Sequence, residues 1–304
     1  MTKKKMSGQA RVIIENVQPS VDGGLYPVKR TVGERVDVTA NIFGDGHDHI
    51  RAELLFRHSD ETNWNIIELK SELNDVWEAS FPASVKGSYF FTVRAWVDHF
   101  DTWYDGIKKK AAANVDVSVE LMEGAAYLNE LVKENKNLQT WAKRMADRSQ
   151  KEKLISEVLS EDFARIVHEN PLRQHITSSG AELEVRVEHK KALYSTWYEL
   201  FPRSSSLQSG RHGTFFDTIK LLPRVAAMNF DVLYLPPIHP IGKINRKGKN
   251  NTVKALPGEP GSPWAIGSDE GGHKSVHPEL GTMDDYKKLI REAKKFDIDI
   301  AMDL

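Results

Sequence analysis

Between residues 242 and 251 the chain reads Gly-Lys-Ile-Asn-Arg-Lys-Gly-Lys-Asn-Asn, a polar loop dense in groups that hydrogen-bond hydroxyls. Lys247 offers three donors, and Asn250 and Asn251 each offer two donors and an acceptor. Such a set suits a hydroxyl-rich ligand, because a buried unpaired hydroxyl costs about 1–3 kcal/mol. Gly242 and Gly248 let the loop bend tightly over what it holds. An isolated lysine-rich run would ordinarily be a solvated loop, so its context decides. Trp264 suits two roles equally, stacking on a ring or pinning the loop, and Asp303 places a carboxylate at the end of an apolar run. His239, His273 and His277 lack the spacing and carboxylate partners of a metal site, so no metal is expected. Gly258-Glu-Pro-Gly261 carries prolines and no following Lys-Ser/Thr, unlike a phosphate loop.

The elements around these residues alternate in type. Residues 229–240 form a short apolar run of β-formers cut off by prolines, the pattern of a parallel strand covered on both faces. Tyr286, Leu289, Ile290 and Ala293 recur at helical spacing, and 298–304 read as a further strand ending in Asp303. Strand, long loop, helix, strand is the unit of a (β/α)8 barrel, whose functional groups gather at the carboxyl ends of the strands. A preceding helix is predicted over 215–228, with Phe216, Ile219, Val225 and Ala226 facing the core and Pro223 kinking or shortening it.

Three runs carry a resemblance. Leu-Tyr-Leu-Pro-Pro-Ile-His-Pro-Ile-Gly (233–242), Arg-Lys-Gly-Lys-Asn-Asn (246–251) and Gly-Ser-Pro-Trp-Ala-Ile-Gly (261–267) resemble the bacterial α-1,4-glucan:maltose-1-phosphate maltosyltransferases of the α-amylase superfamily, glycoside hydrolase family 13. The superfamily pattern extends to 232–237, to Leu-Gly-Thr-Met-Asp-Asp-Tyr (280–286) and to the strand closing at Asp303. Residues 193–204, with Phe-Pro-Arg-Ser, resemble its first barrel strand; 232–235 become strand two, 283–296 helix two and 298–304 strand three.

The resemblance implies transfer of maltosyl units from α-maltose 1-phosphate to the non-reducing end of an α-1,4-glucan, by a retaining double displacement through a covalent β-maltosyl-enzyme. It implies that Lys247 binds maltose 1-phosphate with Asn251 in the same pocket, that Asp303 supports the site, and that there is no cofactor and no metal. Retaining chemistry needs two carboxylates about 5–5.5 Å apart. The superfamily places its nucleophile after strand four, its acid/base after strand five and a stabilising aspartate after strand seven. All three are expected beyond Leu304, so none is assigned within this chain, which is expected to be inactive alone. Gly267 is followed by Ser268 where many amylases place a platform tyrosine, which leaves that platform unassigned. The rivals are a trehalose synthase or amylase of the same superfamily and, from another class, a non-catalytic glycan-binding or dimerisation fragment.

The remainder reads as support. Across 304 residues more than one domain is expected. A net charge of −1 gives no attraction to nucleic acid or an anionic membrane, and the absence of cysteine excludes disulfides and suits the cytoplasm. The basic start, Met-Thr-Lys-Lys-Lys-Met, is followed by Ser-Gly-Gln-Ala instead of an apolar leader region. Period-two runs at 11–17, 35–42, 50–57, 64–69, 76–81, 88–97 and 114–119 predict an antiparallel β-sandwich, which 182–188 rejoin. Trp64, Trp77, Trp96, Trp103 and Tyr104 could be sugar platforms, but most lie on strands and are expected to fill the core. Leu121, Ala125, Leu128 and Val132, then Leu138, Trp141 and Met145, then Leu154, Val158 and Leu159, then Phe163, Ile166 and Val167 mark four short helices. The expectation is a multidomain chain: an antiparallel β-sandwich (10–119 plus 181–190), an inserted small α-helical bundle (120–180), and the first three β/α units of a truncated (β/α)8 TIM barrel (191–304). In the resembling family, sandwich and bundle join in a homodimer.

Overall fold

A computed structural model describes residues 10–133, 135–147 and 151–304, Lys151 by its backbone alone; the basic start at 1–9 lies outside them. The chain divides into two compact units, Met1–His189 and Lys190–Leu304.

Among the described residues the first unit carries ten strands and five α-helices. The strands are β1 (Val12–Gln18), β2 (Val28–Thr31), β3 (Arg35–Gly44), β4 (Ile50–His58), β5 (Asn65–Glu68), β6 (Lys70–Ser71), β7 (Val76–Pro82), β8 (Gly87–Val97), β9 (Thr177–Ser178) and β10 (Leu183–Glu188). One sheet runs β1-β3-β7-β6, and the other β2-β10-β8-β4-β5 with β9 beside β8. Alternation aims Val36, Val38, Ala40 and Ile42 of β3 and Tyr89, Phe91, Val93 and Ala95 of β8 into one shared core. Phe56 of β4 stacks on Phe81 of β7 at 4.5 Å between ring centroids, joining the sheets face to face. The pairing is antiparallel except for β2, which runs parallel to β10.

The strand expected at 114–119 does not form. After β8 the chain enters α1 (His99–Ala112), which the period-two reading missed, and 118 onward is already α2 (Ser118–Leu131). Then follow α3 (Gln139–Ala146), α4 (Lys151–Val158) and α5 (Glu161–Glu169). Asp98 starts α1: its carboxylate accepts from the backbone N–H of Phe100 and Asp101, and from Leu172 after α5. Phe100, Trp103 and Tyr104 then join the apolar stripes of α2–α5 in a second core. Leu159 departs from its expected stripe and stands exposed just past α4. Gly124 lets α1 and α2 approach, since a Cβ there would lie 2.2 Å from the Trp103 ring.

The aromatics considered as sugar platforms are engaged. Trp96, Trp103 and Tyr104 are buried. Trp77 donates its indole N–H to Ile42 O at 3.0 Å, and the Arg57 guanidinium covers Trp64.

The second unit is a parallel sheet of β11 (Trp197–Glu199), β12 (Val232–Leu235) and β13 (Asp299–Met302), in that order, with α6 (Phe215–Ala227) and α7 (Met283–Lys294). Capping boxes start both helices, Thr214 with Asp217 and Thr282 with Asp285. Leu233 and Leu235, Phe215, Leu222 and Val225 of α6, and Leu289 and Ala293 of α7 form the core. Helix α6 continues through Pro223 without shortening. Phe216, expected in the core, is instead exposed beneath the Lys288 ammonium; its neighbour Phe215 is the buried ring.

Candidate functional site

Beyond the carboxyl ends of β11 and β12 the chain breaks into loops. Pro236 and Pro237 follow β12 directly and cannot donate to a ladder, so the chain leaves the sheet there. It returns along itself: Ile241 bridges to Ile266, Gly242 N–H donates to Ala265 O, and Gly267 N–H donates to Pro240 O. Arg246 closes the loop from inside, donating to the carbonyls of Ile241, Gly242 and Glu259. Arg203, just past β11, donates to Gly261 O at 2.6 Å and lies over the Phe201 ring. The sequence reading gave neither arginine a role, because their partners are backbone carbonyls that no side-chain pattern reveals.

These contacts frame an open cleft of about 760 Å³ lined by Phe201, Arg203, Lys247, Asn250, Asn251 and Trp264, among others. Lys247 is exposed in it, and no hydrogen bond or ion pair to its ammonium forms among the described residues. The neighbouring Lys243, by contrast, pairs with Asp269 at 3.1 Å. Asn250 and Asn251 line the same cleft in left-handed backbone, φ 52° and 60°. Asparagine tolerates that region better than most residues, so both also serve the turn itself. Gly248 is required by close approach: a Cβ would fall 2.5 Å from Lys254 O.

Asp303 follows β13 and accepts from the Trp264 indole N–H at 2.6 Å. That bond, and a second from the Tyr234 hydroxyl, hold its carboxyl below the usual range. The same carboxylate raises the Tyr234 phenol. Trp264 also meets Phe201 edge to face, with centroids 5.7 Å apart. Its ring is therefore fixed at two places while staying half exposed.

The three histidines considered together in the sequence are split. His239 is buried, its Nδ1–H donating to Ser275 O at 2.8 Å, with its ring 6.0 Å from that of His273. His277 lies instead beside His212 and Glu279, so it has the carboxylate neighbour that spacing alone denied it. Burial pushes its imidazole below the ordinary value. Among the described residues no helix is long and apolar enough to cross a membrane.

Residues 10–189 match the family model described as alpha-1,4-glucan:maltose-1-phosphate maltosyltransferase, domain N/S. Relatives bearing the same enzyme name resemble nearly the whole chain. That of Chlorobaculum tepidum is 44% identical over 305 residues, covering 99% of this chain and 46% of its own. That of Methylacidiphilum infernorum is 43% identical, covering 98% and 45%, and that of Myxococcus xanthus 40%, covering 96% and 46%. The chain thus spans about half the length of the curated relatives it matches.

Proposed function

From the premise that this chain belongs to the α-1,4-glucan:maltose-1-phosphate maltosyltransferase family, we propose that it forms part of an enzyme moving maltosyl units from α-maltose 1-phosphate to the non-reducing end of an α-1,4-glucan. The observation that carries this reading is the 44% identity over 99% of the chain to a relative of that name. In it, the parallel sheet of the second unit is the opening of a (β/α)8 barrel, and α2–α5 are a bundle inserted into the sandwich. The enzyme is a cytoplasmic homodimer. The nucleophile and the acid/base come from later barrel strands, and no carboxylate among these residues takes either role.

Lys247 is the phosphate-gripping residue. Its ammonium stands in the cleft without a carboxylate partner among the described residues, so an anionic ligand meets a charge that none of them compensates. Asn251 adds a donor and an acceptor for sugar hydroxyls from the same rim. Asp303 is supporting: it holds the Trp264 indole so that the open ring face stays ready for a glucosyl ring.

The test is phosphate release from maltose 1-phosphate with a maltooligosaccharide acceptor, using protein that carries the complete barrel. Loss of one charge-assisted contact costs about 1.5–3 kcal/mol, so Lys247→Ala should lower kcat/KM roughly tenfold to a hundredfold. Lys247→Arg should recover part of that. Unchanged kinetics in Lys247→Ala would remove it from the site. This 304-residue chain by itself should release no phosphate, and measurable release would overturn the assignment of the catalytic carboxylates elsewhere.

A further inference from the structure

Three potential ligand side chains converge from two separate loops of the second unit. His212 lies between β11 and α6, while His277 and Glu279 belong to the turn before α7. One ligand atom from each falls within 4.8 Å of the other two. The two rings are 5.7 Å apart, and His212 Nε2 is 4.0 Å from Glu279 Oε2. Ligand atoms held at about 2.0–2.1 Å around a tetrahedral ion lie about 3.4 Å from one another. Closure from within 4.8 Å to that spacing needs side-chain rotations of the imidazoles and of the exposed Glu279.

The tautomer of His212 is settled by its neighbour. Its Nδ1 is 2.8 Å from Gly213 O, an atom that can only accept. With Nδ1 carrying the proton, Nε2 presents its lone pair on the side of Glu279, 4.0 Å from Oε2. A backbone carbonyl behind one ring nitrogen is how metal-binding histidines are commonly oriented. His277 Nδ1 accepts from Glu279 N–H over a long 3.3 Å, so coordination by this ring gives up at most one weak contact. Its backbone is anchored independently, through its own N–H to Ile238 O at 2.8 Å.

We propose that His212, His277 and Glu279 form a site for a divalent transition metal of the zinc class, stapling the loop before α6 to the loop before α7. Two imidazoles and one carboxylate are a borderline-soft N2O set, suited to Zn²⁺ or Co²⁺ and poorly suited to Mg²⁺ or Ca²⁺. The site does not depend on the maltosyltransferase reading.

The test titrates Co²⁺ into the metal-stripped chain. A visible ligand-field band should saturate at one equivalent and be displaced by Zn²⁺, and Zn²⁺ should raise the melting temperature. His212→Ala and His277→Ala should weaken binding by at least about tenfold. Glu279→Gln changes only an exposed side chain, so it should weaken binding while keeping the metal-free melting temperature. His273→Ala should bind like the parent. Absence of a saturating band in the parent overturns the proposal, as does parental affinity in both Glu279→Gln and His212→Ala.

Discussion

Asp98 closes β8 and opens α1, and replacing it separates two roles that the structure superimposes. It is fully buried, and its Oδ1 accepts from Phe100 N at 3.1 Å, Asp101 N at 3.2 Å and Leu172 N at 3.3 Å. Its Oδ2 faces the Arg51 Nε at 3.1 Å. Asp98→Ala removes a helix cap, about 1 kcal/mol, and strands the buried Leu172 N–H, about 1–3 kcal/mol. It also leaves Arg51 leaning on the more distant Glu68 and Asp101. The sum is about 3 kcal/mol. Asp98→Asn keeps an oxygen for all three N–H groups, but it discards the charge and turns an amide N–H toward the Arg51 guanidinium in place of an acceptor. Burial, opposed by Arg51, pushes the Asp98 carboxyl above its ordinary value, so desolvation outweighs the attraction. The amide also leaves Arg51 to Glu68 and Asp101, but it keeps the three N–H contacts, so it should cost less than the alanine. The sign follows by linkage. A carboxyl with a raised folded pKa binds its proton more readily in the native state, so its contribution to stability grows as pH falls through the folded value toward 3.8. Urea melts followed by helical circular dichroism, with hydrogen exchange at α1 to localise the loss, measure both substitutions. Parent stability should gain from acidification in that window relative to Asp98→Asn. If Asn proved as costly as Ala, the ion pair and not the cap would be holding this junction, and the reasoning would fail.

Other perturbations test the same logic. Gly124→Ala should cost about 1–3 kcal/mol by overpacking, because its methyl would meet Trp103 at 2.2 Å and Met145 at 2.5 Å; an unchanged urea midpoint would show that α1 and α2 can part. Asp303→Ala frees the Trp264 indole, so it should raise the KM of the complete enzyme for maltose 1-phosphate more than it lowers kcat, and Trp264→Phe should follow in the same direction. Equal kcat loss with constant KM would place Asp303 in the chemistry instead.

Much of the fold was legible because burial imposes periodicity on sequence. Alternation along β3 and β8 gave the sandwich strands, the prolines after Leu235 gave the end of β12, and the spacing of Tyr286, Leu289 and Ala293 gave α7. Helix α1 escaped because its buried Phe100, Trp103, Tyr104 and Ile107 are interrupted by Gly106 and a lysine run, and Val115, Val117 and Val119 mimic a strand. Phe215 and Phe216 are identical in type, so only packing against Tyr286 could choose which one turns inward.

The site divides the same way. The loop of Lys247, Asn250 and Asn251 is singled out by its resemblance to the maltosyltransferases, since its composition alone reads as a solvated loop. Its shape rests on Arg246 and Arg203 bonding backbone carbonyls, and the meeting of His212 with His277 and Glu279 joins residues far apart in the chain. Side-chain identity and spacing record which face of an element is buried. Which distant loops share a point in space depends on how strands and helices pack, and that information resides in no single stretch of sequence.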